Sequence, residues 1–226
     1  MKTLFFTSLV FMGLISSVLQ AQESEKREFL FGGEKPLKIS GFGAPIIEFS
    51  SIAGDFAVST GGGGAVLFNQ CFFIGGYGLG SVSMGSQNLT IQVREFDLSV
   101  HTYSNLRRMF GHGGLWLGYI HNSHKAVHMA VSTKIGGGAV GYYDFDFNDW
   151  NADLGWDAVF VFTPQVEVEL NMLKWMKVNL GVGYRFVSGV DETYIDIGGS
   201  ERPYFNSDDF SSPQVSLSFL FGGFGK

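Results

Sequence analysis

Apolar and polar side chains alternate one by one along most of this sequence, and that period is typical of a β-strand with two different faces. Residues 163–186 read TPQVEVELNMLKWMKVNLGVGYRF, in which Glu167 and Glu169 alternate with Val166, Val168 and Leu170, and the alternation resumes from Met176. Similar runs cover 54–69, 125–135 and 213–221. Beyond the first 21 residues, no apolar run approaches the ~20 residues that a membrane-spanning helix requires. We therefore predict an all-β chain.

The first residues have the pattern of an export signal. Lys2 precedes an uncharged apolar stretch over 4–19, and the small residue Ala21 comes just before the polar sequence QESEKRE. This pattern predicts a secretory signal peptide over 1–21, followed by a periplasmic segment over 22–36. The chain has one cysteine, Cys71, so an intramolecular disulfide is excluded and the exported fold must be held by other means.

The lengths of the links between alternating runs predict how many strands form the sheet. A single-chain bacterial barrel has an even number of strands, with short turns at one end and longer loops at the other. The links along this chain alternate between short and long in the same way if 91–104 belongs to an external loop. We predict eight strands, and the alternative is ten, with 85–104 forming another hairpin. The eight strands are 37–50, 54–69, 71–83, 107–121, 125–141, 157–171, 174–188 and 213–224.

The two faces of the predicted strands differ in a way that indicates which face is inside. A strand face exposed to water should carry long charged side chains, but the face at 57–65 offers only Ala, Ser and Gly. Small side chains suit the crowded interior of an eight-stranded barrel, whereas the opposite face, rich in Phe, Val and Leu, suits hydrocarbon. We predict a closed antiparallel up-and-down transmembrane β-barrel over 37–224, with both termini periplasmic. In such a barrel every backbone polar group is paired within the sheet.

This orientation places charged side chains in the lumen. Glu167 and Glu169 then point inward from the strand beside the one that carries Lys177 and Arg185. Three further residues are predicted to face the same interior, namely Lys134, His128 and Arg108. We expect a buried ion-pair network that fills the barrel, because buried charges are tolerated only when their partners are satisfied.

Charge and strand number limit the partners of the protein. The formal net charge is −6, which disfavours nucleic acid as a partner. Eight strands leave little lumen beyond side chains, so we expect a monomeric barrel in outer-membrane lipid without an open pore. Function is expected in external loops at about 85–106, 142–156 and 189–212, through an extracellular ligand or through envelope integrity. The alternatives are a lipid-modifying barrel enzyme and a small transport component.

Four stretches of the sequence resemble the small outer-membrane β-barrel proteins of Bacteroidota. They are SGFGAPIIEFSSI, FGHGGLWLGYIHNSHKAVHMAVSTKIGGG, TPQVEVELNMLKWMKVNLGVGYRFVSGVD and DFSSPQVSLSFLFGGF. The resemblance covers about 37–224 and implies an outer-membrane barrel. It implies no reaction, because that family has no settled activity.

A His-Ser pair is the strongest candidate for catalysis. His121 and Ser123 have the spacing seen in small barrel lipases that deacylate lipid A, but a hydrolase also needs a third group to orient its base. No carboxylate is evident beside the pair, which falls in a predicted periplasmic turn. His128 with Ser132 or Glu167 is a weaker candidate, so we expect no enzymatic activity and no cofactor.

An acidic, aromatic segment is the one candidate for metal binding. Asp144, Asp146 and Asn148 occupy alternate positions in YYDFDFNDWNADLGWD, and oxygen ligands at such spacing can hold calcium. The glycine and the terminal Glu of a hand-type calcium loop are missing. An ordinary acidic surface loop is therefore the preferred interpretation, and its aromatic residues could belong to a girdle at the membrane interface.

Overall fold

The computed structural model describes residues 36–93, 99–144, 156–195 and 198–224. One compact unit begins at Lys38 and contains all of the strands described below. The predicted signal peptide and nearly all of the predicted N-terminal segment lie outside the described residues. No helix in the described part of the chain has the length and apolar character needed to cross a membrane.

The described chain is built almost wholly of strands. They are β1 (Ile39–Ile52), β2 (Asp55–Phe68), β3 (Phe72–Ser83), β4 (Gln87–Val93), β5 (Ser99–His121), β6 (Val127–Asp144), β7 (Asp157–Leu173), β8 (Met176–Ser188), β9 (Thr193–Ile195), β10 (Glu201–Pro203) and β11 (Ser212–Gly222). A short helix, α1 (Ser207–Phe210), precedes β11.

Antiparallel pairing closes eight of these strands into a barrel. The sheet runs β3-β2-β1-β11-β8-β7-β6-β5, and β3 pairs with β5 from Phe72↔Tyr119 to Val82↔Met109 to complete the ring. The predicted closed eight-stranded barrel is confirmed. The stretch 85–104 contains a hairpin, because β4 pairs with the start of β5, but this hairpin extends from the barrel rather than adding two strands to the ring. The ten-stranded alternative is therefore wrong.

Tight turns join most strands at one end of the barrel. Asn69 and Gln70 both have positive φ, 50° and 60°, as the two central residues of a type I′ hairpin require, and the amide of Cys71 donates to the carbonyl of Phe68. We call this end, which also contains the start of β1 and the end of β11, the terminal end. The opposite end, from which the connections after β3, β6 and β8 leave, is the loop end.

Residues facing outward from the barrel wall are apolar, and those facing inward include nearly all of the charges. On β8, for example, Leu180 and Val182 are exposed whereas Lys177 and Arg185 are buried. Among outward positions of the eight barrel strands, Arg107 is the only Lys, Arg, Asp or Glu. The predicted orientation of the two faces is therefore present throughout the described barrel.

Glycines allow neighbouring strands to approach closely inside the barrel. A Cβ atom added at Gly136 would overlap the backbone of Gly113 on the neighbouring strand, and one added at Gly61 would overlap Gly78. Gly61 begins the glycine run 61–64 and Gly136 begins the run 136–138. Glycine within a strand commonly marks such a close approach of another backbone.

Candidate functional site

A group of inward-facing polar side chains from β1, β6, β7, β8 and β11 forms the candidate site, which we call the lumen network. Its members are Glu48, His128, Ser132, Lys134, Gln165, Glu167, Glu169, Lys177, Asn179 and Ser216, all of them buried. The strand period brings them together, since residues two apart on a strand share a face. The adjacent strands β6, β7 and β8 then stack their polar faces side by side.

Glu169 is the centre of the network near the terminal end. The ammonium group of Lys177 donates to Oε2 of Glu169 at 2.9 Å, and Nε2 of His128 lies 2.9 Å from the same oxygen. The other ring nitrogen of His128, Nδ1, is 3.0 Å from the carbonyl of Lys125. The side chains of Glu169 and Lys177 have almost no exposed area, so the Lys177–Glu169 ion pair is shielded from solvent.

Glu167 is held by neutral donors instead. The hydroxyl of Ser132 donates to Oε1 at 2.5 Å, and the amide of Asn179 donates to Oε2 at 2.8 Å. Both carboxylate oxygens therefore have a partner. Because Ser132 bonds Glu167 while His128 bonds Glu169, the structure does not assemble Ser132 and His128 into a nucleophile and its base.

Lys134 connects opposite walls of the barrel. Its ammonium group, reaching from β6, donates to Oε1 of Glu48 on β1 at 2.5 Å and to Oε1 of Gln165 at 3.0 Å. The same nitrogen lies 5.7 Å from the ring centroid of Trp116, within the range of a cation–π contact. The Glu48–Lys134 pair thus crosses the lumen. Glu48 was not among the residues predicted from the sequence to belong to the network.

Arg185 occupies a different position from the one expected. Its guanidinium group donates to the carbonyl of Phe210 at 2.8 Å, to the hydroxyl of Ser50 at 3.2 Å and to the carbonyl of Ser51 at 3.2 Å. It also lies 4.9 Å from the ring centroid of Phe110. Arg185 therefore binds neutral groups near the loop end and fixes α1 to the barrel wall.

Arg108 also lies apart from the lumen network. It faces inward at the loop end, where its guanidinium group is 3.5 Å from the carboxylate of Asp55. Asp55 is partly exposed, so this is a pair at the rim. Of the seven predicted network residues, five lie in three neighbouring hydrogen-bonded groups: Glu169 with Lys177 and His128, Glu167 with Ser132 and Asn179, and Lys134 with Glu48 and Gln165.

Apolar side chains fill the rest of the interior. At the loop end, Phe205 and Phe210 from the connection between β8 and β11 pack against Tyr142, Phe110 and Val161. Tyr142, which was considered for the interfacial girdle, is an inward residue whose hydroxyl donates to the carbonyl of Tyr204. The inward residues of β1, β2, β3 and β5 toward the terminal end form a second apolar cluster, which includes Phe42, Phe73, Trp116, Leu67 and Ile120.

Several buried polar atoms in the lumen have no hydrogen-bond partner among the residues that the structure describes. They include Oε2 of Glu48, Oγ of Ser59, Nε2 of His112, Nε1 of Trp116 and both side-chain atoms of Gln214. Buried polar atoms in proteins are commonly bonded by internal water. These atoms mark where the lumen can hold isolated waters between the side chains.

The predicted His-Ser pair lies in a terminal-end turn. Nε2 of His121 is 2.8 Å from the side-chain amide of Asn122, and the carbonyl of Ser123 accepts from Asn171. None of these contacts is the nucleophile–base pair that hydrolysis needs.

The candidate calcium ligands are only partly described. Asp146, Asn148 and the side chain of Asp144 lie outside the described residues. Within the described part, no group of three or more His, Cys, Asp or Glu side chains is placed to hold a metal ion.

Neither a family model nor a curated protein matches the chain. Among solved structures, Neisserial surface protein A matches 83% of this chain and 99% of its own, with 7% identity and a TM-score of 0.51. The attachment invasion locus protein Ail of Yersinia pestis matches 81% of this chain and 97% of its own, with 10% identity and a TM-score of 0.42. The outer membrane protease OmpT from Escherichia coli matches 82% and 93%, with 9% identity and a TM-score of 0.28. At such low identity the first likeness shows the fold alone: a small closed barrel like that of Neisserial surface protein A.

Proposed function

We propose that the protein is an integral outer-membrane barrel that does not conduct, and that it acts through the connections at its loop end, by surface contact or by bracing the envelope. The observation that carries this proposal is the arrangement of the two faces. The outward wall presents Phe, Val, Leu and Ile, while lysines, glutamates and Arg185 are buried inside. Exposing so much apolar surface would be unfavourable in water but is favourable when the wall contacts hydrocarbon. Charges that faced the hydrocarbon would be destabilising, so they are enclosed in the lumen.

Outer-membrane insertion also fits the predicted signal peptide and the absence of an unpaired edge in the ring. In lipid a sheet must close, because water is not available to bond free backbone groups. The resemblance to small barrels of Bacteroidota supports the same location. The proposed termini are periplasmic, which would place the loop end outside the cell.

The interior supports a barrel that is filled rather than open. The Glu48–Lys134 pair crosses the lumen, and Phe205 and Phe210 close the loop end with less than 2% of their surface exposed. Eight strands leave room for little beyond such side chains. The connections after β3 and β6, and the part of the β8–β11 connection outside its buried anchors Phe205 and Phe210, are the parts proposed to bind another molecule, as loops on rigid scaffolds commonly do.

Planar-bilayer recording tests this proposal. Purified protein, folded in detergent and checked by the shift in its electrophoretic mobility on heating, is added to a bilayer. We expect no stepwise conductance, because the lumen is filled by paired charges and aromatic rings. Regular single-channel steps from folded protein would contradict the filled lumen, and recovery of the protein in the soluble fraction of cells would contradict the membrane location.

The absence of catalysis is tested separately. Cells producing wild-type protein and the His121→Ala, Ser123→Ala double variant are compared by mass spectrometry of lipid A. We expect identical acyl patterns. A pattern that changes with the wild-type protein and reverts with the variant would identify a lipid-modifying enzyme.

A further inference from the structure

Exposed charges are divided between the two ends of the barrel. In the part of the chain that the structure describes, the exposed lysines all lie at the terminal end, and they are Lys38, Lys125 and Lys174. The exposed carboxylates of the same part lie at the loop end, and they are Asp191, Glu192, Glu201 and Asp208. The terminal-end turns 69–71, 122–126 and 174–175 contain no Asp or Glu. The described terminal end is therefore basic and the loop end acidic.

The backbone of each exposed lysine is fixed at the rim. The amide of Lys38 donates to Oδ1 of Asn69 at 3.1 Å, and its carbonyl accepts from the amide of Asn69 at 2.8 Å. The carbonyl of Lys174 accepts from the amide of Phe224 at 3.2 Å. The amide of Lys125 donates to the carbonyl three residues before it at 2.9 Å. Three cations are therefore held at defined positions of the terminal end.

The ammonium groups of these lysines are available to a partner outside the chain. None of the three has an ion-pair partner among the described residues. They are also spread around the rim, because Lys38 adjoins β1, Lys174 joins β7 to β8, and Lys125 lies between β5 and β6. A partner that contacts all three must surround the barrel or cover its whole end. Lipids surround a membrane barrel on all sides.

Exposed apolar side chains accompany the lysines on the outward wall. Trp175 follows Lys174 and is exposed, and its ring stacks on Phe221 with the centroids 6.1 Å apart. Ile39 follows Lys38 and is also exposed. Aromatic side chains border the apolar band of a membrane barrel, and a lysine beside that border places its ammonium group in the polar region while its methylene stem covers apolar surface. The lysines therefore reach the depth at which lipid phosphates lie.

We propose that the exposed lysines of the terminal end bind the phosphate groups of anionic phospholipids in the leaflet around that end. The inference rests on the proposed membrane location, and with periplasmic termini this leaflet is the inner one of the outer membrane. A lysine close to a bilayer surface favours an anionic lipid about fivefold. The carboxylates at the loop end repel the same lipids. A soluble acidic protein is a poorer partner, because it would have to span the whole end of the barrel to contact all three lysines.

Spin-labelled lipids test this preference at equilibrium. Wild-type protein is reconstituted in phosphatidylcholine vesicles that contain a trace of spin-labelled phosphatidylglycerol or phosphatidylcholine, and electron paramagnetic resonance measures the fraction of label that the protein immobilises. We expect an association constant about twofold higher for phosphatidylglycerol, because each lysine acts only at its own site and the other lipid positions dilute the effect. High salt should reduce the preference, since it screens exposed charges.

The triple variant Lys38→Gln, Lys125→Gln, Lys174→Gln should bind the two lipids equally. Its three side chains are exposed, so it should fold as the wild type does, and the heat-dependent shift in electrophoretic mobility checks this. The triple variant Lys38→Arg, Lys125→Arg, Lys174→Arg keeps the charges and should keep the preference. Arg202→Gln is the matched control at the loop end, because it removes an exposed cation there, and it should leave the preference unchanged.

Five results would overturn the inference: equal association of the two lipids with the wild type, a preference that high salt leaves unchanged, a preference that survives the three Lys→Gln changes, its loss in the Lys→Arg triple variant, or its loss in Arg202→Gln. Equal association with the wild type is also the result expected if the lysines bind a soluble polyanion. Folded wild-type protein that does not enter vesicles would instead refute the membrane location, so the two failures are distinguishable.

Discussion

Individual carboxylates in the lumen differ in how they are neutralised. Glu169 accepts a hydrogen bond from Lys177 at one oxygen, which also contacts His128, while its other oxygen has no partner in the described part of the chain. Glu167 is held entirely by Ser132 and Asn179. A buried ion pair is weak evidence of net stabilisation, but removing one member leaves the other charge uncompensated. Single substitutions should therefore be far more harmful than paired ones.

Glu169→Gln should lower the free energy of unfolding by about 3–5 kcal/mol, because Lys177 is left buried without its carboxylate. The measurement is urea unfolding of the protein in lipid vesicles. The double variant Glu169→Gln, Lys177→Met should lose less than the sum of the two single variants. Exposed Glu192→Gln is the matched control and should change stability by no more than about 0.5 kcal/mol. Additive losses would show that the pair is not coupled.

Sequence alternation could identify residues of the network within one hairpin but not across the lumen. Glu167, Glu169 and Lys177 were predicted because β7 and β8 alternate cleanly. Glu48 was missed because glycines and Pro45 blur the alternation of β1, and because its partner Lys134 is on the opposite wall. The register of two strands joined by a turn follows from their hydrophobic pattern and from the turn. A contact between opposite walls also depends on how the whole sheet closes and on how far each side chain reaches.

The connection between β8 and β11 is an element that belongs to the interior. Phe205 and Phe210 insert between the inward residues of several strands, and the carbonyl of Asp209 accepts from the amide of Ala53 at 2.6 Å. Arg185, on the inward face of β8, donates a hydrogen bond to the carbonyl of Phe210. The sequence predicted this stretch as an external loop, since it has no alternation. An aromatic residue that packs into a lumen from a loop has no periodic signal.

Phe210→Ala should destabilise the barrel by roughly 3–5 kcal/mol, the usual cost of removing a fully buried phenylalanine. It should also speed proteolysis within 189–211, because the connection then loses one of its two buried aromatic anchors and keeps only Phe205. Urea unfolding and timed digestion measure the two effects. Phe160→Ala, an outward residue that is 53% exposed, is the control and should leave digestion unchanged. Unchanged digestion in Phe210→Ala would contradict its role as an anchor.

The β4–β5 hairpin is an element outside the closed ring. β3 pairs directly with β5 up to Val82↔Met109, so the pairing of β4 with the start of β5 adds nothing to closure. This arrangement explains why strand counting from sequence was ambiguous: the hairpin alternates as barrel strands do.

Replacing residues 87–104 with Asn-Gly should leave a folded barrel, because every pair in the ring is retained and Asn-Gly favours a tight hairpin. The heat-dependent shift in electrophoretic mobility should persist, with an urea midpoint near that of the wild type. A similar deletion within β3, Gly76–Gly80, is the control and should abolish the folded band. Loss of that band in the hairpin variant would show that β4 is part of the closure.

At the scale of the molecule, the two faces of the wall are the property that the sequence predicted best. Every barrel strand combines an apolar outward face with an inward face of charged, small or aromatic residues, and a period of two residues is readable without knowledge of contacts. The row of small outward residues formed by Gly80, Gly111 and Ala139 was not predicted, because it requires the three residues to be neighbours on three strands. Because β4 lies between β3 and β5 in the chain, no local turn sets the register of that pair.

A charge placed on the outward wall distinguishes a barrel in lipid from one in water. Val166 is an exposed outward residue near the middle of β7, and Met172 is an exposed outward residue near its terminal end. In lipid, Val166→Arg should cost about 2–4 kcal/mol and Met172→Arg about 0–1 kcal/mol, since the penalty depends on depth. At a water-exposed surface both changes should stay within about 0.5 kcal/mol. Urea unfolding in vesicles measures both variants, and equal small losses would mean that the apolar wall does not face hydrocarbon.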